Sequence, residues 1–411
     1  MRQIIMMFLL AAISSSVTAQ NTVVVTVSNP TNSPRADVPI IINTSPYGEV
    51  RSALVTQNGQ EIPCQLDDLN LDESFDELCF LADLDKHETK QYAVTFSPEG
   101  EPRSYPARVY AEMVLANTKD KTLKKHQQNN YIEALTARGD AAYTYNVQHH
   151  HGVDFESELN GIRIYFDARQ TLDLYGKYEK RLELKDTQFY TSDEQKAQHY
   201  GDDVLWVGQT FGLGAFRGWD GQKPTLVEPV RTRTQRIISY GPLRAIVEVI
   251  DRGWQAPKAD NQQSAAINMT LRYTQYAGHR DTDVDVFFNK DVSDYRFSTG
   301  IINVKDSEEF SDNKGLRGCW GTDYPAADTT KWSRETVGLG ILIPQENIVS
   351  EEAANKDNYA YVVKVNGRHM AYKVSYTSDK ESFGYHKAED WFRHLSAWKK
   401  EVEEPVVITI K

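Results

Sequence analysis

Three consecutive histidines, His149, His150 and His151, run into Asp154, Glu156 and Glu158. Imidazoles beside carboxylates can move protons, hold a hydroxyl or ligate a divalent cation. Side chains alternate between the two faces of a strand, so at most His149 and His151 point the same way. A metal centre here would need further ligands, with His199, His279 and Asp281 as the sources on offer. Zinc held by two histidines and a carboxylate is one such arrangement. No HExxH or similar spacing accompanies the cluster. A hydrogen-bonding role in a cleft, or an ordinary strand or loop position, accounts for these histidines as well. No organic cofactor is expected, and a divalent metal is left open.

The stretch GIRIYFDARQTLDLYGK follows at residues 161–177. Arg163, Tyr165 and Asp167 share one parity, and Arg169 joins them if the strand stays regular. The opposite parity carries Ile162, Ile164 and Phe166. One face is therefore apolar, and the other carries guanidinium, phenol and carboxylate. On an outer wall that is a solvated strand; on a cleft wall it is a polar binding surface. Arg163 or Arg169 could fork onto a carboxylate. Tyr175 and Lys177 share a face after a polar break.

Two further stretches carry candidates. FGLGAFRGWDG, residues 211–221, reads as a glycine-rich loop with Arg217, Trp219 and Asp220 near its tip. Its glycine spacing matches no phosphate-binding pattern. Trp219 could stack on a ring or plug a sheet end, and Asp220 could orient a hydroxyl or cap the turn. HRDTDVDVFF puts His279, Asp281, Asp283 and Asp285 on one parity, with Arg280 on the other. Paired acids on a cleft strand could serve acid–base chemistry or bind calcium; exposed acidic strand positions are the plainer reading. The expected site places Arg217, Trp219 and at least one of the three histidines on one cleft.

The elements that must position these groups are strands. Residues 20–102 read as a small β-sandwich domain of about seven strands, with Asn58-Gly59 as a hairpin turn. A Pro-, Gly- and Glu-rich stretch at 98–106 is the expected boundary. Residues 103–411 again alternate apolar and polar positions, among them AAYTYNVQ, TLDLYGKYEKRLEL, AINMTLRYTQYA and NYAYVVKVN. One helix is predicted over 385–403, where Phe392, Leu395 and Trp398 recur at helical spacing with Trp391. VVITI then adds a closing strand. So many strands and so few helices fit an all-β antiparallel supersandwich and exclude a parallel α/β sheet.

With 58 acidic against 46 basic residues the net charge is −12, which argues against a general nucleic-acid binder. Residues 1–19 read as a signal peptide: Arg2, an apolar run at 4–13, then Val17-Thr18-Ala19. The expected location is the periplasm or the cell exterior, with no transmembrane anchor. Export makes a Cys64–Cys79 disulfide conceivable, and two buried free thiols fit equally well. Cys319 reads as a small buried hydrophobe.

The motifs HHHGVDFESELNGIRIYFDARQTLDLYGK, DDVLWVGQTFGLGAFRGWDG, YAGHRDTDVDVFF and GLGILIP resemble a family of secreted Bacteroidetes proteins, a domain of unknown function associated with polysaccharide utilisation. The resemblance covers nearly the whole mature chain. It implies a galactose-mutarotase-like supersandwich, a class that includes carbohydrate epimerases, binding domains and polysaccharide lyases. It brings no catalytic set with it. The expected function is an exported carbohydrate-active protein that cleaves an acidic poly- or oligosaccharide, a uronate carboxylate being what a guanidinium could fork onto.

Two mechanisms compete. β-Elimination needs a neutraliser such as Arg163, Arg169, Arg217 or Arg280, and a histidine or tyrosine base. Hydrolysis needs two flanking carboxylates, from Asp167, Asp220, Asp281 or Glu156. A noncatalytic carbohydrate-binding protein and a mutarotase- or epimerase-like enzyme are the rival readings.

Overall fold

The computed structural model describes residues 21–117, 119–120, 122–141, 144–258 and 265–411. The expected leader at 1–19 lies outside them. Valine- and threonine-rich alternation makes Asn21–Ser28 a strand, and its alternate positions Val25 and Val27 are fully buried. It pairs with Thr89–Ser97, which pairs in turn with Ser52–Gln57 and its hairpin partner Gln60–Ile62. Asn58 and Gly59 supply the two positive φ angles, 51° and 78°, that a tight hairpin turn requires. A second sheet orders Arg35–Asn43, Glu77–Leu84 and Cys64–Asp67. The inner faces of the two sheets share one apolar core.

The last strand departs from expectation. Val407–Ile410 pairs with Asn21–Ser28 rather than closing the large domain. Cys64 and Cys79 are free thiols. Cys64 stands opposite Phe80 and Cys79 opposite Gln65, so the two sulfurs lie on opposite faces of the sheet.

The large domain is a sandwich. One layer is a nine-stranded antiparallel sheet running from Glu308–Ser311 at one edge to Ala134–Arg138 at the other. Two five-stranded sheets form the opposing layer, and residues from all three sheets make one continuous core. The architecture is an all-β antiparallel sandwich, as its strand-rich sequence dictates.

The predicted helix is Ala388–Glu403. It covers the outer face of the nine-stranded sheet, where Gly318 and Gly340 face each other in register. A Cβ on either would come within 2.4 Å of the Leu395 side chain. Bare backbone at these two positions is what lets the helix sit so close. Two predicted strands change character. TLDLYGKYEKRLEL is a strand only over Leu172–Gly176, and short helices follow at Leu184–Thr187 and Asp193–Lys196. Within AAYTYNVQ, residues 142–143 lie outside the described set, and Thr144–Asn146 is a 3-10 turn.

The small domain docks on the large sheet through buried polar groups. Arg244 bridges Asp67 and Glu77, and Gln65 accepts from the backbone N–H groups of Leu243 and Arg244. Arg108 pairs with Asp37 and Glu158. Among the described residues, no helix is long and apolar enough to cross a membrane.

Candidate functional site

The strands Val109–Glu112, Gly152–Ser157, Gly161–Tyr165, Leu172–Gly176 and Asp202–Asp203 form one five-stranded sheet. Their apolar parity, including Val153, Phe155, Ile162, Ile164, Leu172 and Leu174, faces the core. Register then aligns the other parity in rows. Glu112, Asp154, Arg163 and Asp173 stand side by side across four strands. Tyr110, Glu156, Gly161, Tyr175 and Asp203 make the next row.

This charged face is not solvated: Asp154 and Glu156 are fully buried, and Glu112, Arg163 and Asp173 nearly so. Residues 178–203 cover it, and their Leu184 and Phe189 are buried against Tyr175. A whole row of charges withdrawn from water is costly unless partnered. Most of it is partnered. Arg163 donates to Asp173 at 2.6 Å, to Asp203 at 2.9 Å and to the Tyr165 hydroxyl at 3.2 Å. Glu156 accepts from Lys177 and from the backbone of Glu183 and Leu184.

One group is not. His150 Nδ1 lies 3.5 Å from Asp154 and Nε2 lies 3.6 Å from Glu112, distances too long for hydrogen bonds. Both ring nitrogens, both Asp154 oxygens and Glu112 Oε1 have no hydrogen-bond partner. One donor atom from each of the three residues lies within 4.8 Å of the others, so this group could hold a metal. Burial pushes the Glu112 carboxyl up to about 8, against the hydrogen bond from Tyr110. Burial likewise raises Asp154 and lowers His150.

Around this group lies a half-buried cluster of rings and cations, here called the mouth. His151 stacks on Tyr145 with centroids 3.9 Å apart, and Tyr145 meets Tyr165 edge-on at 5.1 Å. The Arg169 guanidinium sits 5.0 Å from the Tyr145 ring and 4.8 Å from that of Tyr165. His149 contacts Tyr190, whose ring carries the Lys125 ammonium 3.4 Å above its centre. Burial lowers His149 and His151 to about 4. Four non-glycine residues with positive φ lie in these segments, His151 at 72°, Gln170 at 47°, Gln188 at 48° and Phe189 at 64°, with others elsewhere in the chain. Non-glycine residues adopt this region rarely and concentrate near functional sites.

The structure thus brings His149, His150, His151, Arg163, Asp167 and Arg169 together. It gives other candidates different surroundings. Tyr175 is buried and hydrogen-bonded to Glu183, Thr191 and the Gly201 carbonyl. Lys177 is buried between Glu156 and two carbonyls. Arg217 lies beneath the Arg169 turn, donating to the carbonyls of Arg169, Gln209 and Thr210 and to the Thr171 hydroxyl. The expectation that Arg217 and Trp219 line the histidine cleft therefore needs correction. Arg217 braces the cleft from behind, and Trp219 is only 9% exposed, packed in the sheet. Asp220 caps its turn, accepting from the N–H groups of Gln222 and Lys223.

His279, Asp281 and Arg280 form a separate locus at the far end of the strand Gly152–Ser157, where Ser157 donates to the His279 carbonyl. A cavity of about 360 Å³ opens there between the domains, lined in part by Arg35, His279, Asp281, Lys373 and Trp398. Most charged groups at this locus are paired, although Arg35 Nε and Trp398 Nε1 have no hydrogen-bond partner. His279 meets Asp281 at 3.1 Å and the Asp37 carbonyl at 2.8 Å, Lys373 pairs with Asp283, and Arg280 pairs with Glu381. That is the pattern of a docking seam. Sequence reasoning missed Glu112, Asp173, Asp203, Tyr145, Tyr190 and Lys125. Asp173, Asp203 and Tyr145 stood in the sequence motifs, but only strand register reveals which of them meet.

The fold and the site define an all-β sandwich protein with a buried charged sheet face beside a cluster of aromatic rings and cations. The chain belongs to the family described as a domain of unknown function, DUF4861, which matches residues 27–408. No curated protein matches it. Among solved structures it is similar to a protein in the glycosyl hydrolase family 38 from Enterococcus faecalis. The TM-score is 0.50 at 9% identity, over 95% of this chain and 47% of that one. An alpha-mannosidase from Enterococcus faecalis V583 aligns with a TM-score of 0.48 at 9% identity, over 95% and 46%. The chain spans about half the length of these structures, and the likeness is one of fold.

Proposed function

We propose that the protein is an exported carbohydrate-active enzyme that cleaves an acidic oligosaccharide by β-elimination at the mouth around His149, His151 and Arg169. The observation that carries this reading is the pairing state of the mouth's charges. Asp173 and Asp203 are tied to Arg163, and Asp167 to Arg169. Hydrolysis asks for two carboxylates free to flank the glycosidic bond. Glu112 Oε1 and Asp154 are unpaired but withdrawn from solvent, so the less buried groups left to meet a ligand are imidazoles, phenols and cations. In this reading Arg169 and Lys125 neutralise a uronate carboxylate, Tyr145 and Tyr190 stack against the sugar, and His149 or a tyrosine takes the proton α to the carboxylate. The leader expected at residues 1–19 supports export.

The test is incubation of the purified protein with acidic and neutral plant and algal oligosaccharides, with products read by mass spectrometry and ultraviolet absorbance. A new unsaturated end supports elimination. Addition of water on cleavage overturns it in favour of hydrolysis. Binding without product overturns catalysis in favour of a binding protein.

A further inference from the structure

We infer that Glu112, His150 and Asp154 are the protein ligands of a divalent transition-metal site. The three come from different parts of the chain, and register brings them together. Asp154 stands directly opposite Glu112 across the sheet, and His150 lies four residues before Asp154. All three side chains are buried, His150 and Asp154 completely.

Polar groups so placed normally find hydrogen-bond partners. Here five donor or acceptor atoms point at one another without closing to bonding distance. The 3.5 Å gap from His150 Nδ1 to Asp154 is close to the edge of a coordination tetrahedron; the 3.6 Å to Glu112 is from the other ring nitrogen, and one donor atom from each of the three residues lies within 4.8 Å of the others. Two donor atoms each ~2.1 Å from a metal ion stand about 3.4 Å apart. Charge points the same way. Two carboxylates brought together out of water repel each other as anions, and a divalent cation would offset the two negative charges they carry once deprotonated. Arg163, the neighbour of Asp154 in register, directs its Nε and Nη2 to Asp173 and Asp203, and its Nη1 makes no hydrogen bond to Asp154.

The surroundings also orient a ligand. The Tyr110 hydroxyl donates to Glu112 Oε2 at 2.9 Å, leaving Oε1 toward His150. Such second contacts fix the first ligands of metal sites. The donor set decides the metal class. One imidazole and two carboxylates suit Zn²⁺ or Mn²⁺, whereas calcium takes six to eight oxygens. The sequence pointed to His149 and His151 because they share a strand face. His150 carries the site because the histidines precede the strand, which begins at Gly152.

The experiment is metal analysis of the purified full chain, stripped with chelator, reloaded with Zn²⁺ or Mn²⁺ and dialysed. Mass spectrometry then counts metal per chain. The expected result is about one equivalent in the wild type, with a raised melting temperature. Glu112→Gln combined with Asp154→Asn keeps the shape and removes the charge, and should lose both effects. Equal metal in this variant, or substoichiometric metal in the wild type, overturns the site. X-ray absorption of the zinc-loaded wild type needs no variant: one imidazole among oxygen ligands supports the assignment, and sulfur or several imidazoles overturn it. No glycan enters these measurements, so they stand or fall apart from the cleavage assay.

Discussion

Arg169 is the residue through which ligand charge can be read most directly. It is about one-fifth exposed, lies over two tyrosine rings and shares its charge only with Asp167. Arg169→Met should weaken binding of a uronate oligosaccharide by about tenfold or more, since a hydrogen bond to a charged group contributes about 1.5–3 kcal/mol. A neutral oligosaccharide of the same length should bind unchanged. Calorimetry with both sugars checks this, and equal losses for the two would remove the electrostatic role. Trp219 behaves differently. Its ring is buried, so Trp219→Ala should destabilise the fold by about 3–5 kcal/mol in denaturant titration. Lost sugar affinity with an unchanged midpoint would restore it to the cleft. At this scale the sequence revealed which residues can do chemistry but not which of them are free to do it. Arg163 and Arg217 look alike in a string of letters. Only the fold shows one among rings and carboxylates and the other capped by carbonyls.

The strand Gly161–Tyr165 shows what local pattern can and cannot tell. Its alternation was legible because it depends on neighbours in sequence, and Ile162 and Ile164 do face the core. That its charged face is buried was not legible. The cover comes from residues 178–203, whose short helices carry little periodicity, and the partner Glu112 is 42 residues from Asp154 by sequence number. The helix Ala388–Glu403 was legible because its stripe is long and regular. Its docking depends on two glycines that face Leu395. Leu395→Ala should destabilise by about 2–5 kcal/mol. Gly340→Ala should also destabilise, by forcing the helix off the sheet. Denaturant midpoints measure both, and wild-type stability in Gly340→Ala would show that the helix yields without loss.

At the scale of the whole molecule, the His279–Asp281 pair ties domain docking to pH. Burial works against the charge on His279, but the hydrogen bond and charge of Asp281 outweigh it and hold His279 above its ordinary range. Burial works the other way on Asp281, and His279 with Lys373 holds it below the usual carboxylate range. Lys373, Glu401, Arg280 and Tyr276 also face the pair. The contribution of His279 is full below pH ~6.5 and is lost as pH rises through its raised value. That of Asp281 is present above pH ~3.9 and is lost as pH falls through its lowered value. Docking should therefore be firmest between these limits. The urea midpoint should fall from pH 6 to pH 9 in the wild type and change less in His279→Gln. Parallel curves for the two would remove the pair from the seam. The same seam carries one more consequence. The strand Asn21–Ser28 lies between Thr89–Ser97 and Val407–Ile410, and Val24 exchanges two backbone hydrogen bonds with Lys411. During synthesis the small domain's earliest strand must wait, one edge bare, until the large domain has been made. The domain that begins first is thus the last to be finished, and its unpaired edge is the surface a chaperone would have to guard in the meantime.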